Sequence, residues 1–237
     1  QIVGWGVVLP GRAPHHPANP LSYLDDFDRL SVQYLEEFDL VHRSEHNTMS
    51  TGVTLCAVER HALIHSLREH CKRLGIVIEH SSPVMCESDL NKDDYDLFIL
   101  ANGINHKSVY FRETLKPKIE YGLNKYIWYG TSKTFDYLSL IFKVHPKGVF
   151  VAHAYKFSDD MSTFVVECSE ETYQNSKLDQ LSDEESATFI AEVFKDELEG
   201  HTLQGQDRLK WRNFMTLSHD TAYDQNLVLL GDALQSG

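Results

Sequence analysis

The sequence predicts an α/β protein in which an antiparallel β-sheet region is inserted into an open-sheet region. Two observations carry this reading. Short continuous apolar runs ended by glycine, Asp96-Leu-Phe-Ile-Leu-Ala-Asn-Gly103 and Asn226-Leu-Val-Leu-Leu-Gly231, flank a middle stretch, 126–169, built of Val-, Phe-, Tyr- and Ile-rich pieces. The first texture is that of strands buried on both faces of a layered sheet, and the second that of half-buried antiparallel strands. The boundaries drawn from this change are 1–112, 113–218 and 219–237.

The elements follow in order. Leu63, Leu67, Cys71 and Leu74 recur at helical spacing, and Gly75 supplies a stop. Ile76-Val-Ile-Glu-His80 reads as the next strand, and 96–103 as a strand with a glycine turn. The pieces 126–130, 135–144, 148–157 and 161–168 read as an antiparallel meander forming a sheet of its own, with turns at Pro146-Lys-Gly148 and Ser158-Asp-Asp160. Ser182-Asp-Glu-Glu185 is a capping box; Phe189, Ile190, Val193, Phe194 and Leu198 form the apolar face behind it, and Gly200 ends that helix. Strands follow at 211–218 and 226–230.

Composition narrows the function. With 42% hydrophobic and 24% charged residues in 237, a core forms without disulfides or a metal. The 22 basic against 35 acidic residues give a net charge of −13, with no Lys/Arg stripe to track phosphates, so nucleic acid is not an expected partner. No apolar run approaches the roughly 20 residues of a membrane span. Cys56, Cys71, Cys86 and Cys168 form no CxxC pair, which suits free thiols in a reducing cytoplasm. No metal is expected: His61 and His65 lie one helical turn apart but opposite the apolar face, without a third ligand at zinc-site spacing. His15-His16 sits in a Pro-rich loop.

Several residues carry two readings each. Gly4-Trp-Gly6 before Val7-Val8 is either a strand end with backbone clearance or a phosphate cradle; the third glycine of a dinucleotide fingerprint is missing. Arg60 stands at the amino end of a helix, where it either clamps an anion or stacks on a ring. Asp232, behind Gly231 at the carboxyl end of a strand, either binds sugar hydroxyls or caps a helix. Tyr126, Trp128, Tyr129, His153 and Tyr155 lie on strands, with Tyr129, His153 and Tyr155 as candidates for an aromatic pocket and core packing as the alternative.

Four segments, Gly4-Trp-Gly-Val-Val8, Arg60-His-Ala-Leu63, Ala101-Asn-Gly-Ile-Asn105 and Leu229-Leu-Gly-Asp-Ala233, resemble in order and spacing the class A flavoprotein aromatic hydroxylases of p-hydroxybenzoate-hydroxylase type. Longer segments at 4–12, 16–24, 124–131, 152–155, 164–173 and 230–237 resemble an indole-hydroxylating member. The resemblance implies a FAD-binding Rossmann-like domain with an inserted antiparallel β-sheet substrate domain, the N-terminal βαβ unit preceding Gln1 and the C-terminal helices following Gly237. It implies FAD as cofactor, NADPH as co-substrate, O2 and a small indolic substrate. By position, Gly231 and Asp232 meet the ribityl chain, Arg60 the pyrophosphate, and Gly6, Val7 and Val8 the flavin. Asn102-Gly103 takes the place of the family's Asp-Gly motif, with an amide for the carboxylate and the arginine further on replaced near Val109. Tyr129, His153 and Tyr155 become substrate contacts, and His153 the candidate general acid or base. A hydroxylase of aryl-CoA thioesters is the nearer alternative, and a non-catalytic aromatic-binding module the alternative of another class.

Overall fold

A computed structural model describes residues 6–11, 30, 33–43, 45–90, 95–104, 112–205 and 210–236. The chain divides into two compact units, one of residues Gln1–Ile78 with Asn124–Arg212 and one of residues Glu79–Leu123 with Asn213–Gly237. Among the described residues no helix is long and apolar enough to cross a membrane.

The larger unit is built on one twisted sheet. Strand β1 (Gly6–Gly11) pairs antiparallel with β3 (Glu45–Glu59), which forms a long hairpin with β2 (Gln33–His42). Strand β2 then pairs parallel with β6 (Leu138–His145). Antiparallel pairing continues through β7 (Gly148–Lys156), β8 (Ser162–Cys168) and β5 (Lys118–Thr131), of which residues 124–131 belong to this unit. Two expectations change here. The inserted strands do not form a sheet of their own, because β2 takes up the free edge of β6. Nor are they a simple meander, since β5 docks beside β8 and not beside β6, its successor in sequence.

Alternation decides which face is covered. Tyr129, Ile141, Phe150, Ala152, Ala154, Phe164 and Val166 point to one side and are buried against helices α3 (Asp183–Val193) and α4 (Lys195–Leu198), with Ile190, Val193, Phe194 and Leu198 completing the core. Phe164 meets Phe194 edge to face at 5.3 Å. The capping box holds: Ser182 Oγ accepts from Glu185 N, and Glu185 Oε2 accepts from Ser182 N at 2.8 Å. A short helix absent from the sequence reading, α2 (Glu170–Asn175), precedes them, capped by Ser169. At the β6–β7 turn Gly148 has φ +141, and a Cβ there would collide with the Thr172 side chain of α2.

Helix α1 (Arg60–Arg73) follows β3 directly and ends at Leu74, with Gly75 at φ +72, as the spacing predicts. The strand expected at 76–80 is absent. Ile76, Val77 and Ile78 are exposed, Val77 by 82%, and no strand pairs with them among the described residues. Apolar β-formers make no strand where the ladder has no partner.

The smaller unit carries a three-stranded sheet of order β10 (Tyr223–Asp224), β11 (Leu227–Leu229), β4 (Phe98–Leu100). Strands β11 and β4 are parallel, Leu229 opposite Leu100. Leu100, Leu115, Leu227 and Leu229 are buried together, whereas Ile99 is 55% exposed, so the run 96–103 is covered on one face and not on both. Arg112 ties this unit: its guanidinium meets Glu87 Oε1 at 2.8 Å and donates to the Asp224 carbonyl. Strand β9 (Arg212–Ser218) lies beside β5 in the sheet order, and Asn213 Nδ2 donates to Gly122 O at 2.9 Å.

Two substitutions measure these packings. Phe164→Ala is expected to lower unfolding free energy by about 3–5 kcal/mol, and Gly148→Ala by more than about 1 kcal/mol through backbone strain and the clash with Thr172. Urea titration of each variant reads both.

Candidate functional site

Directly opposed residues in an antiparallel sheet share a face. Trp128 in β5 stands opposite Val165 in β8, and Val165 opposite His153 in β7, so the three form one row on the face turned away from α3 and α4. Tyr155 lies two residues along on the same face, opposite Thr163, and is buried beside Leu35, Ala57 and Phe157. His153 and Tyr155 are thus brought together. Tyr129 is not: one residue from Trp128, it faces the opposite side, fully buried, with its hydroxyl 3.2 Å from Ser186 Oγ on α3. That Ser186 oxygen also accepts from Trp211 Nε1 at 3.0 Å.

His153 has a partner that the sequence reading did not single out. Its Nε2 lies 2.9 Å from Glu167 Oε1, with the histidine side chain 38% exposed. The signal for Glu167 was present in the alternation of β8, where Thr163, Val165 and Glu167 share the face of His153.

Arg60 opens α1. No acidic residue occupies the first turn and the N-cap Glu59 makes no side-chain cap, so the amino-terminal N–H groups and the positive end of the helix dipole keep their capacity for an anion. The guanidinium carbon sits 5.7 Å from the centroid of the Trp128 ring. Arg60 Nε and Trp128 Nε1 are both buried without a hydrogen-bond acceptor. Each such donor costs about 1–3 kcal/mol. The positive charge also reaches Tyr155: burial pushes that phenol above its ordinary value, while Thr163 and Arg60 pull it down. The two sequence readings of Arg60 are compatible in this geometry, because the residue stacks on a ring and still stands at a helix amino end.

In the smaller unit the parallel pairing of β4 with β11 sets their carboxyl ends side by side. Asn102 and Gly103 follow β4, Gly103 at φ +82; Gly231 at φ +62 and Asp232 open a turn of 3-10 helix, Gly231–Ala233, just past β11. Leu230 N donates to Leu100 O at 2.9 Å, which locks the two strand ends together. The carboxyl edge of an open sheet is where such folds hold ligands. Asp232 is exposed and pairs with no cation among the described residues. This arrangement fits a polyhydroxyl chain; separately, in the larger unit, the Arg60 guanidinium, which makes no ion pair among the described residues, fits a phosphate.

The remaining candidates place simply. Gly6 pairs with Glu59 and Val7 with Val58 in the β1–β3 ladder, Val7 half-buried against α1; Val8 stands opposite Ala57. His61 and His65 are exposed, and no group of three or more His, Cys, Asp or Glu residues that could hold a metal ion occurs among the described residues. Gly4-Trp5, His15-His16 and Val109 lie outside the described residues. A cavity of about 290 Å³ among Asp39, His46, Lys133, Phe135, Asp196 and Glu197 is lined by none of the site candidates.

Against known proteins, no family model matches the chain. It is 59% identical over all its 237 residues to protodeoxyviolaceinate monooxygenase from Chromobacterium violaceum, of which it covers 64%. Salicyloyl-CoA 5-hydroxylase from a Streptomyces species is 32% identical over 191 residues, 77% of this chain and 36% of that protein. The chain thus spans less than two thirds of the length of these relatives. Among solved structures, 2-methyl-3-hydroxypyridine-5-carboxylic acid oxygenase superposes with a TM-score of 0.76 at 14% identity, covering 99% of this chain and 66% of that one. The chain has the fold of the FAD-binding hydroxylases. The probable FAD-dependent monooxygenase pqsL from Pseudomonas aeruginosa shares it, with a TM-score of 0.57 at 16% identity over 91% of this chain and 64% of that one.

Burial of Tyr129 makes a pH prediction. Desolvation pushes its phenol up to about 12, so the folded state holds the proton more tightly than the unfolded chain, which releases it near the ordinary value of 10.0. The contribution to stability is complete below about pH 10 and is lost as pH rises towards about 12. Tyr129→Phe is expected to leave the pH dependence unchanged from pH 7 to 9. Between about pH 10 and 12 it removes a slope of about 1.4 kcal/mol per pH unit. Urea unfolding across the alkaline range checks this.

Proposed function

We propose that this chain is part of a FAD- and NADPH-dependent monooxygenase that hydroxylates an indole ring, converting protodeoxyviolaceinate to protoviolaceinate in violacein biosynthesis. The observation that carries the reading is identity of 59% along the whole chain to a monooxygenase of that substrate. The placement of Asn102-Gly103 and Gly231-Asp232 just past the ends of adjacent strands supports it. The reading assigns 1–112 and 219–237 to FAD binding and 113–218 to the substrate. Free thiols at Cys56, Cys71, Cys86 and Cys168 support a cytoplasmic setting.

The chemistry that a bound FAD supplies is acceptance of hydride from NADPH and activation of O2, one atom of which enters an electron-rich ring. This chain's own residues bind and orient. Asp232 accepts hydrogen bonds from the ribityl hydroxyls, with Gly231 letting the backbone approach closely and Asn102-Gly103 forming the neighbouring wall. Arg60 meets the pyrophosphate, and Gly6, Val7 and Val8 flank the flavin. His153 and Tyr155 line the substrate side, while Tyr129 supports that wall from the core. His153 gives its Nε2–H to Glu167, which leaves Nδ1 as an acceptor for a proton of the indole. The surrounding aromatic surface orients the ring and keeps water out.

In the complete protein, Asp232→Ala is expected to abolish retention of yellow FAD through purification. His153→Ala retains the colour but loses about a hundredfold in substrate-stimulated NADPH oxidation. Full colour and turnover in Asp232→Ala refutes the cofactor assignment, and a colourless wild-type protein that still binds the indole makes it an aromatic-binding module. The 32% identity to a salicyloyl-CoA hydroxylase keeps aryl-CoA thioesters as a second substrate class, and chromatography of products from both classes decides between them.

A further inference from the structure

An arginine without an ion pair ordinarily turns its head to water along a flexible stem. Arg60 does otherwise. Its Nε is covered, its guanidinium carbon is held 5.7 Å from the centroid of the Trp128 ring, and it makes no ion pair among the described residues. The indole N–H beneath is also covered and also unsatisfied. Two buried donors left without acceptors weaken the fold, and groups of this kind call for a compensating role. The indole cannot be there for its own hydrogen bond, so what it offers is its face, the strongest of the aromatic faces for a cation. Its base is rigid, since Trp128 lies within the β5–β8 ladder opposite Val165.

We propose that Trp128 is a positioning residue for Arg60. The ring face fixes the guanidinium at the amino end of α1, so that its terminal Nη groups are presented ready-oriented to a phosphate-bearing ligand. Freezing those torsions before binding removes an ordering cost that the ligand would otherwise meet. The inference rests on the assignment of Arg60 to the pyrophosphate of FAD, and Trp128 itself need not touch the cofactor.

FAD dissociation constants, measured by fluorescence quenching on the complete protein, test it with Trp128→Leu, Trp128→Phe, Arg60→Ala and the double variant Trp128→Leu/Arg60→Ala. Arg60→Ala is expected to weaken FAD by about 30-fold and Trp128→Leu by about 10-fold, with the double variant no weaker than Arg60→Ala alone. Trp128→Phe keeps a ring face and stays within about threefold of wild type, with an apo melting temperature that does not fall, because an unsatisfied N–H has gone. Should leucine impair folding, Trp128→Met is measured in its place with the same expectation. Wild-type affinity in Trp128→Leu, or a full tenfold loss added on top of Arg60→Ala, overturns the inference and leaves the Arg60 assignment standing. An Arg60→Ala protein that binds FAD as wild type does overturns the assignment itself, and the inference with it.

Discussion

Everything in the larger unit depends on one side of its sheet being sealed by α3 and α4. Phe150, Phe164 and Tyr129 must face those helices to leave water, and strand parity then sends Trp128, His153 and Tyr155 to the other side. A slip of one residue in β7 or β8 would exchange the two sets. The core thus specifies the candidate site without contributing an atom to it. Ala152 and Ala154, fully buried between the larger core residues, let the helix layer settle close on β7.

The smaller unit obeys a different constraint. Its candidate residues are backbone-dominated, two glycines with positive φ beside an amide and a carboxylate, and they are aligned by a parallel ladder only three residues long. Arg112, joined to Glu87 and Asp224, links segments far apart in sequence where that short ladder alone would be weak. The predicted cofactor residues therefore fall into two sets held by unlike means, Arg60, Gly6, Val7 and Val8 by a long antiparallel sheet and its helix, and Asn102, Gly103, Gly231 and Asp232 by strand ends.

Much of this was legible from residue patterns. The capping box, the glycine stop after α1 and the alternating strands β7 and β8 each rest on local chemistry, and each appears where that chemistry puts it. The hairpin of β2 and β3 was not legible, because Glu45 to Ser50 are exposed and, Met49 apart, polar, and form a strand only through pairing with β2. The converse failure is 76–80, where apolar β-formers without a partner stay irregular. Alternation in β8 puts Glu167 on the face of His153, but that the two meet depends on the register of β7 against β8, which spacing within one strand does not contain. Trp128 and Tyr129 are alike in chemistry, and only the one-residue step between their positions puts them on opposite faces of β5.

The pairing of β4 with β11 joins residues near position 100 to residues near position 228. During synthesis the earlier strand leaves the ribosome long before its neighbour exists. The Asp232 edge is accordingly completed only once β11 has been made, and until then Leu100 lacks its β11 partner. A nascent chain halted before β11 would present this apolar strand to chaperones.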